Sequence, residues 1–251
     1  MSVVELNQGL EKPPERLDLQ DVALFLDLDG TLAPIAARPQ DVRPDERRTA
    51  LLKRLAERLD RRLAVVSGRP LEEIDHILEG EVTAVAGIHG LVRRDAEGRV
   101  VRAEAHQGLE LARARLNEFA GQDPGLLVED KGLSLTLHYR LAQPLGEAAR
   151  ELIAATAAET GLTYQPGDMV AELRTPGASK GDSIRAFMAE PPFAGFKPVF
   201  LGDDLTDEHG FFAVRSLGGY GILIGPERRT TALYRMDDVE AALAWLEEAA
   251  Q

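Results

Sequence analysis

The chain has 251 residues, 44% of them hydrophobic, enough for one large domain or for a core carrying a smaller insert. Lys and Arg number 29 and Asp and Glu 42, so the net charge is 29 − 42 = −13, a surface that repels nucleic acid and anionic membranes but not a small phosphorylated substrate held in its own local field. There is no cysteine, which excludes disulfides and thiolate metal sites.

Residues 1–20, with Glu5, Glu11, Glu15 and Pro13-Pro14, read as a polar leader without the basic start and apolar run of a signal peptide. No stretch approaches the roughly 18 uninterrupted apolar residues of a membrane span, so the expectation is a cytoplasmic protein with no membrane, nucleic-acid or obligate protein partner. Val22-Ala23-Leu24-Phe25-Leu26 reads as a strand buried on both faces of a parallel sheet. Pro44 suits a helix start, with Leu51, Leu55 and Leu59 on one face. Leu63 to Val66 is a second buried strand, a short helix follows Pro70, and Val82 to Ala86 is a third strand. This alternation predicts an α/β doubly wound parallel sheet over residues 21–104 and 179–251.

Between 105 and 178 the rhythm changes to helix, strand, strand, helix, strand, strand, an inserted α+β cap with one sheet face exposed. Its strands are expected at 126–128, 133–138, 162–165 and 169–174, and its second helix at 145–159. After 178 the core rhythm resumes with a helix from about 180, the strand Val199 to Leu201, a helix near 206–216, Gly221 to Ile224, and a last helix capped by Asp237 or Asp238.

Four motifs sit at element ends. Asp27-Leu28-Asp29-Gly30-Thr31 follows the first strand, and a period of two sends Asp27 and Asp29 to one side. Two carboxylates about 4 Å apart repel by about 4 kcal/mol at an effective dielectric near 20, a cost that a divalent cation or a proton removes. Ser67-Gly68-Arg69 closes the second strand, Lys180 opens a helix whose N–H groups favour an anion, and Gly202-Asp203-Asp204-Leu205-Thr206-Asp207 follows the strand 199–201. Singly, each has a bland alternative: a cap, a solvated charge, an acidic turn. In an open parallel sheet, however, the carboxyl ends converge on one crevice.

This order of motifs resembles the haloacid dehalogenase (HAD) superfamily of phosphoryl-transfer enzymes. The resemblance implies Asp27 as a nucleophile that forms an aspartyl phosphate and Asp29 as the acid and base. It implies Mg²⁺ held by Asp27, Asp203 and the main-chain carbonyl of Asp29. Phosphate would be held by Thr31, Ser67, Gly68, Arg69 and Lys180, with Asp204 and Asp207 in support. Val128-Glu129-Asp130-Lys131-Gly132, Leu137-His138-Tyr139-Arg140, Ala86-Gly87-Ile88-His89-Gly90 and Val170-Ala171-Glu172-Leu173-Arg174 further resemble trehalose-6-phosphate phosphatases. That implies a sugar-phosphate substrate, with Glu129, Lys131 and Glu172 on the sugar furthest from the phosphate, and Arg174, His89 and His138 as further substrate contacts. Two features qualify the match: Leu91-Val92 replaces a common Ala-Glu, and the chain resembles the stand-alone bacterial form.

Three alternatives compete. A phospho-aspartate receiver is about half this length and lacks an insert. A non-catalytic binding homologue is expected to lose part of the acidic set, which is complete here. The third keeps the chemistry and acts on another sugar phosphate, such as sucrose 6-phosphate or glucosylglycerol phosphate.

Overall fold

The computed structural model describes residues 9–167 and 169–251, and residues 1–8 of the expected leader lie outside them. The chain forms two compact units, Met1–Val101 with Ala178–Gln251, and Arg102–Gly177.

The first unit contains β1 (Val22–Leu26), α1 (Glu46–Arg58), β2 (Leu63–Val66), α2 (Leu71–Ile77), β3 (Ala84–Gly87) and β4 (Val92–Arg94), then β5 (Val100–Arg102) at its margin. The second unit holds α3 (Leu109–Ala120), β6 (Leu127–Asp130), β7 (Ser134–His138), α4 (Gly146–Thr160), β8 (Thr163–Gly167) and β9 (Val170–Arg174). The chain returns to the first through α5 (Lys180–Met188), β10 (Lys197–Gly202), α6 (Glu208–Ser216), β11 (Tyr220–Ile224), β12 (Tyr234–Met236) and α7 (Val239–Ala249).

The large sheet runs β12-β11-β10-β1-β2-β3-β4-β5. It is parallel from β12 to β3, and β4 joins β3 antiparallel. β1 is central because all five of its residues are buried, as both-face coverage demands. Ala23 and Phe25 face a core built with Ile184 and Phe187 of α5 and Phe211 and Val214 of α6. In it the Phe25 ring lies 5.5 Å from Phe193 and 6.1 Å from Phe187. α1 and α7 are tied together by Arg47, which bonds Glu247 at 2.7 Å and Glu240 at 2.8 Å.

The structure shifts several expected boundaries. The third strand begins at Ala84 and takes in Gly87, with Val82 and Thr83 left before it. The cap of α1 is Asp45, whose side chain accepts the Arg48 N–H, so Pro44 lies one residue outside the helix end. Asp238, not Asp237, caps α7. The described part of the leader is anchored: Leu17 and Leu19 are buried, and the Trp245 indole donates to the Pro14 carbonyl at 2.8 Å.

The second unit has the order β6-β7-β9-β8, antiparallel throughout, with α3 and α4 covering Leu135, Leu137, Ala171 and Leu173. The opposite face carries Ser134, Thr136, Glu172 and Arg174. It was expected to be exposed, yet these four are buried. Of the four, Glu172 is paired with Lys131, which also lies beside Glu129.

Candidate active site

β1 and β10 run side by side, Leu26 opposite Leu201, and the Asp27 N–H continues the ladder to the Leu201 carbonyl. The next residues, Asp27 and Asp203, therefore leave the sheet at the same edge. α5 begins with a capping box in which Ser179 and Asp182 satisfy each other's backbone N–H groups. This fixes Lys180 as the first helical residue. Its ammonium reaches Asp27 Oδ1 at 2.8 Å and Asp207 Oδ1 at 2.7 Å. The other oxygen of Asp207 accepts the N–H groups of Asp203 and Asp204, each at 3.0 Å. Asp207 thus orients both the lysine and the loop that presents Asp203. Asp204 caps the following turn through the Leu205 N–H at 2.6 Å.

Oxygens of Asp27, Asp203 and Asp207 all lie within 4.8 Å of one another. Three carboxylates against one ammonium leave two negative charges unbalanced. Burial pushes Asp27 up to about 7, although Lys180 opposes the shift. Burial, reinforced by the charges of Asp27 and Asp207, pushes Asp203 up to about 9. Burial lowers Lys180, but Asp207 and Asp27 outweigh it and hold the ammonium far above its ordinary value. Asp203 Oδ1 is buried and has no hydrogen-bond partner among the described residues. An orphaned carboxylate oxygen beside two further carboxylates, whose crowding raises the cost of ionising them together, fits a hard divalent cation. Gly30 has φ +83 and passes so close to Asp203 that a Cβ there would collide with the carboxylate.

Ser67 and Gly68 lie at the same sheet edge after β2. Ser67 is buried, its hydroxyl accepting the Arg69 N–H at 3.3 Å, and the Gly68 Cα lies against the His89 ring, 2.6 Å from where a Cβ would sit. Thr31 is fully buried and its hydroxyl has no partner among the described residues. Arg69, expected among the phosphate ligands, is held by groups of the protein. Its guanidinium clasps both oxygens of Asp29 at 2.6 and 2.8 Å and also bonds Glu73 and the Pro39 carbonyl.

In the second unit, strand register sets Glu129, Thr136, Glu172 and Gln165 side by side in one row across β6, β7, β9 and β8. The Lys131 ammonium stands 3.8 Å from Glu129 and 3.9 Å from Glu172. His138 Nε2 lies 2.8 Å from Glu129. Burial pushes Glu129 up, but the His138 hydrogen bond and the Lys131 charge outweigh it and hold the carboxyl below its ordinary value. Arg174 is buried two residues further along the same face, opposite Ser134.

The sequence model of the family described as trehalose-phosphatase matches residues 25–240. The trehalose-6-phosphate phosphatase of Escherichia coli (strain K12) is 40% identical over 230 residues, 90% of this chain and 85% of that protein. The chain belongs to the trehalose-phosphatase family. Among solved structures, a trehalose-6-phosphate phosphatase related protein matches with TM-score 0.76 at 28% identity, covering 90% of this chain and 95% of that one. A HAD-superfamily phosphatase from Bacteroides thetaiotaomicron matches in fold, with TM-score 0.60 at 17% identity over 95% of this chain and 97% of that one. The protein is thus a phosphatase with the α/β HAD fold. Among the described residues, no helix is long and apolar enough to cross a membrane.

One part of this phosphatase site is absent from the motifs. Arg228, in the loop after β11, donates to the main-chain carbonyls of Asp204 at 2.8 Å and Asp203 at 3.3 Å. It pairs with Glu208, which also binds the Thr230 hydroxyl and both the N–H and hydroxyl of Thr231. Two loops that follow neighbouring strands are thereby stapled together under Asp203. The only sequence signal is an Arg-Arg-Thr-Thr run in a loop, which carries no chemistry by itself.

Proposed function

We propose that the enzyme hydrolyses trehalose 6-phosphate to trehalose and phosphate through an aspartyl phosphate on Asp27, with Mg²⁺ as cofactor. The observation that carries this reading is the cluster of buried Asp27, Lys180 and Asp207 with half-buried Asp203 in a chain of the trehalose-phosphatase family. In the first step an Asp27 oxygen bonds to phosphorus, the phosphorus–sugar oxygen bond breaks, and Asp29 gives its proton to the departing oxygen. In the second, Asp29 takes a proton from water as that water attacks phosphorus, and the Asp27 carboxylate is released. Asp27, Asp203 and the Asp29 carbonyl would hold Mg²⁺, which supplies positive charge to the phosphoryl oxygens. Lys180 adds a fixed charge, and the Ser67 and Thr31 hydroxyls and the Gly68 N–H add donors.

A disaccharide offers many hydroxyls and little apolar surface, so charged hydrogen-bonding groups on a rigid sheet suit it. Glu129, Lys131 and Glu172 are assigned to the sugar furthest from the phosphate, with His138 holding Glu129 and Arg174 extending the row. His89 is assigned to a sugar hydroxyl near the phosphate. The division into a catalytic core and an inserted cap follows the same assignment.

The test is phosphate release from trehalose 6-phosphate with and without Mg²⁺, beside glucose 6-phosphate, sucrose 6-phosphate and glucosylglycerol phosphate. A Mg²⁺-dependent preference for the first is expected. Preference for another sugar would overturn the substrate assignment and leave the chemistry standing.

A further inference from the structure

Asp29 must present its carboxylate to the leaving oxygen in one orientation, and its own side chain has two free torsions with which to lose it. The structure shows what fixes them. Arg69 Nε and Nη2 donate to the two oxygens of Asp29 at 2.6 and 2.8 Å, the planar fork that suits a carboxylate. The guanidinium is anchored in turn, Nη1 donating to the Pro39 carbonyl at 3.0 Å and to Glu73 at 3.1 Å. The exposure is asymmetric: the Arg69 side chain is 8% exposed and the Asp29 side chain 33%. The clasp therefore sits behind Asp29, and the carboxylate keeps an open side. Each carboxylate oxygen has acceptor capacity for more than one partner, so a bidentate clasp leaves room for a proton and a leaving oxygen.

We infer that Arg69 is a positioning residue, setting the Asp29 carboxylate for proton transfer, and is not a phosphate ligand. This inference rests on the proposed roles of Asp27 and Asp29. It also gives the Ser-Gly-Arg motif two duties. Ser67 and Gly68 serve the phosphoryl group, and the next residue serves the acid.

The role predicts a dependence on leaving group. A sugar oxygen leaves poorly without a proton, whereas p-nitrophenolate leaves unaided. In Arg69→Ala, first-turnover release of trehalose from trehalose 6-phosphate should fall by about 10²-fold, the scale of general-acid catalysis. First-turnover release of p-nitrophenolate from p-nitrophenyl phosphate should fall far less, and affinity for inorganic phosphate in the Mg²⁺-loaded enzyme should be unchanged. Arg69→Lys, which keeps the charge but not the planar fork, should fall between wild type and alanine, and it serves as the test if the alanine variant does not fold. Equal losses on both substrates, or a matching loss of phosphate affinity, would return Arg69 to the phosphate and overturn the inference. Trehalose release that is unchanged or faster would overturn it as well, because the clasp would then restrain Asp29 and not aim it. A wild-type enzyme that releases phosphate from neither substrate would instead sink the proposed function together with this inference.

Discussion

Lys180 lies among three carboxylates, so its removal and that of Asp27 should have opposite consequences for folding. Asp27→Asn deletes one of the unbalanced negative charges and keeps the side-chain shape. It should fold at least as well as wild type without metal, while turnover falls on the order of 10⁴-fold or more, as when a nucleophile is removed. Lys180→Ala strips the cluster of its one buried cation and should cost about 3–5 kcal/mol of stability, the scale of breaking a buried pair. Denaturant unfolding of both variants tests the contrast, and a loss below about 1 kcal/mol for Lys180→Ala would contradict it. At this scale the motif residues were readable, because Asp27, Lys180 and Asp203 each stand at the end of their own element. The partners of Arg69 and Arg228 were not. One reaches a carboxylate 40 positions away and the other reaches main-chain carbonyls, and neither contact leaves a pattern in the sequence.

Elements present these residues in register, and the register carries its own predictions. Glu129, Thr136, Glu172 and Gln165 share a row only because four antiparallel strands align there. Glu172→Gln should raise KM for the sugar phosphate by about 10- to 100-fold with little change in kcat, as expected for a lost charged hydrogen bond of about 1.5–3 kcal/mol. A change confined to kcat would detach Glu172 from sugar binding. The staple between the loops after β10 and β11 predicts that Arg228→Ala weakens Mg²⁺ binding, read by direct titration, while excess Mg²⁺ restores turnover. Long elements were legible: the apolar run of β1, the leucine spacing of α1, and the alternation in β7. Strands β4, β5 and β12 were missed because each has three residues, too few to show a period. Two of them hold more arginine or exposed valine than a core strand does. The polar face of β7 and β9 reads as a solvated surface in sequence, yet Ser134, Thr136, Glu172 and Arg174 on it are buried.

For the molecule as a whole, the charge imbalance at the sheet edge ties stability to pH and metal. Asp27 and Asp203 rise from 3.8 to about 7 and about 9 on folding. The folded metal-free protein therefore binds more protons than the unfolded chain between those values. Their favourable contribution is full below about 4 and is lost as pH rises through about 7 and then about 9. Thermal unfolding in chelator should show a declining Tm across that range, and Mg²⁺ should raise Tm more at pH 8.5 than at pH 6. A Mg²⁺ increment that shrinks with rising pH would contradict the cluster as a cation site. The covalent step on Asp27 is the central claim, and acid quenching during turnover of trehalose 6-phosphate, followed by peptide mass analysis, tests it most directly. The account predicts one phosphoryl group on the peptide containing Asp27, dependent on Mg²⁺ and absent from Asp27→Asn. Steady phosphate release with no phosphorylated peptide, or a phosphoryl group that persists in Asp27→Asn, would contradict it.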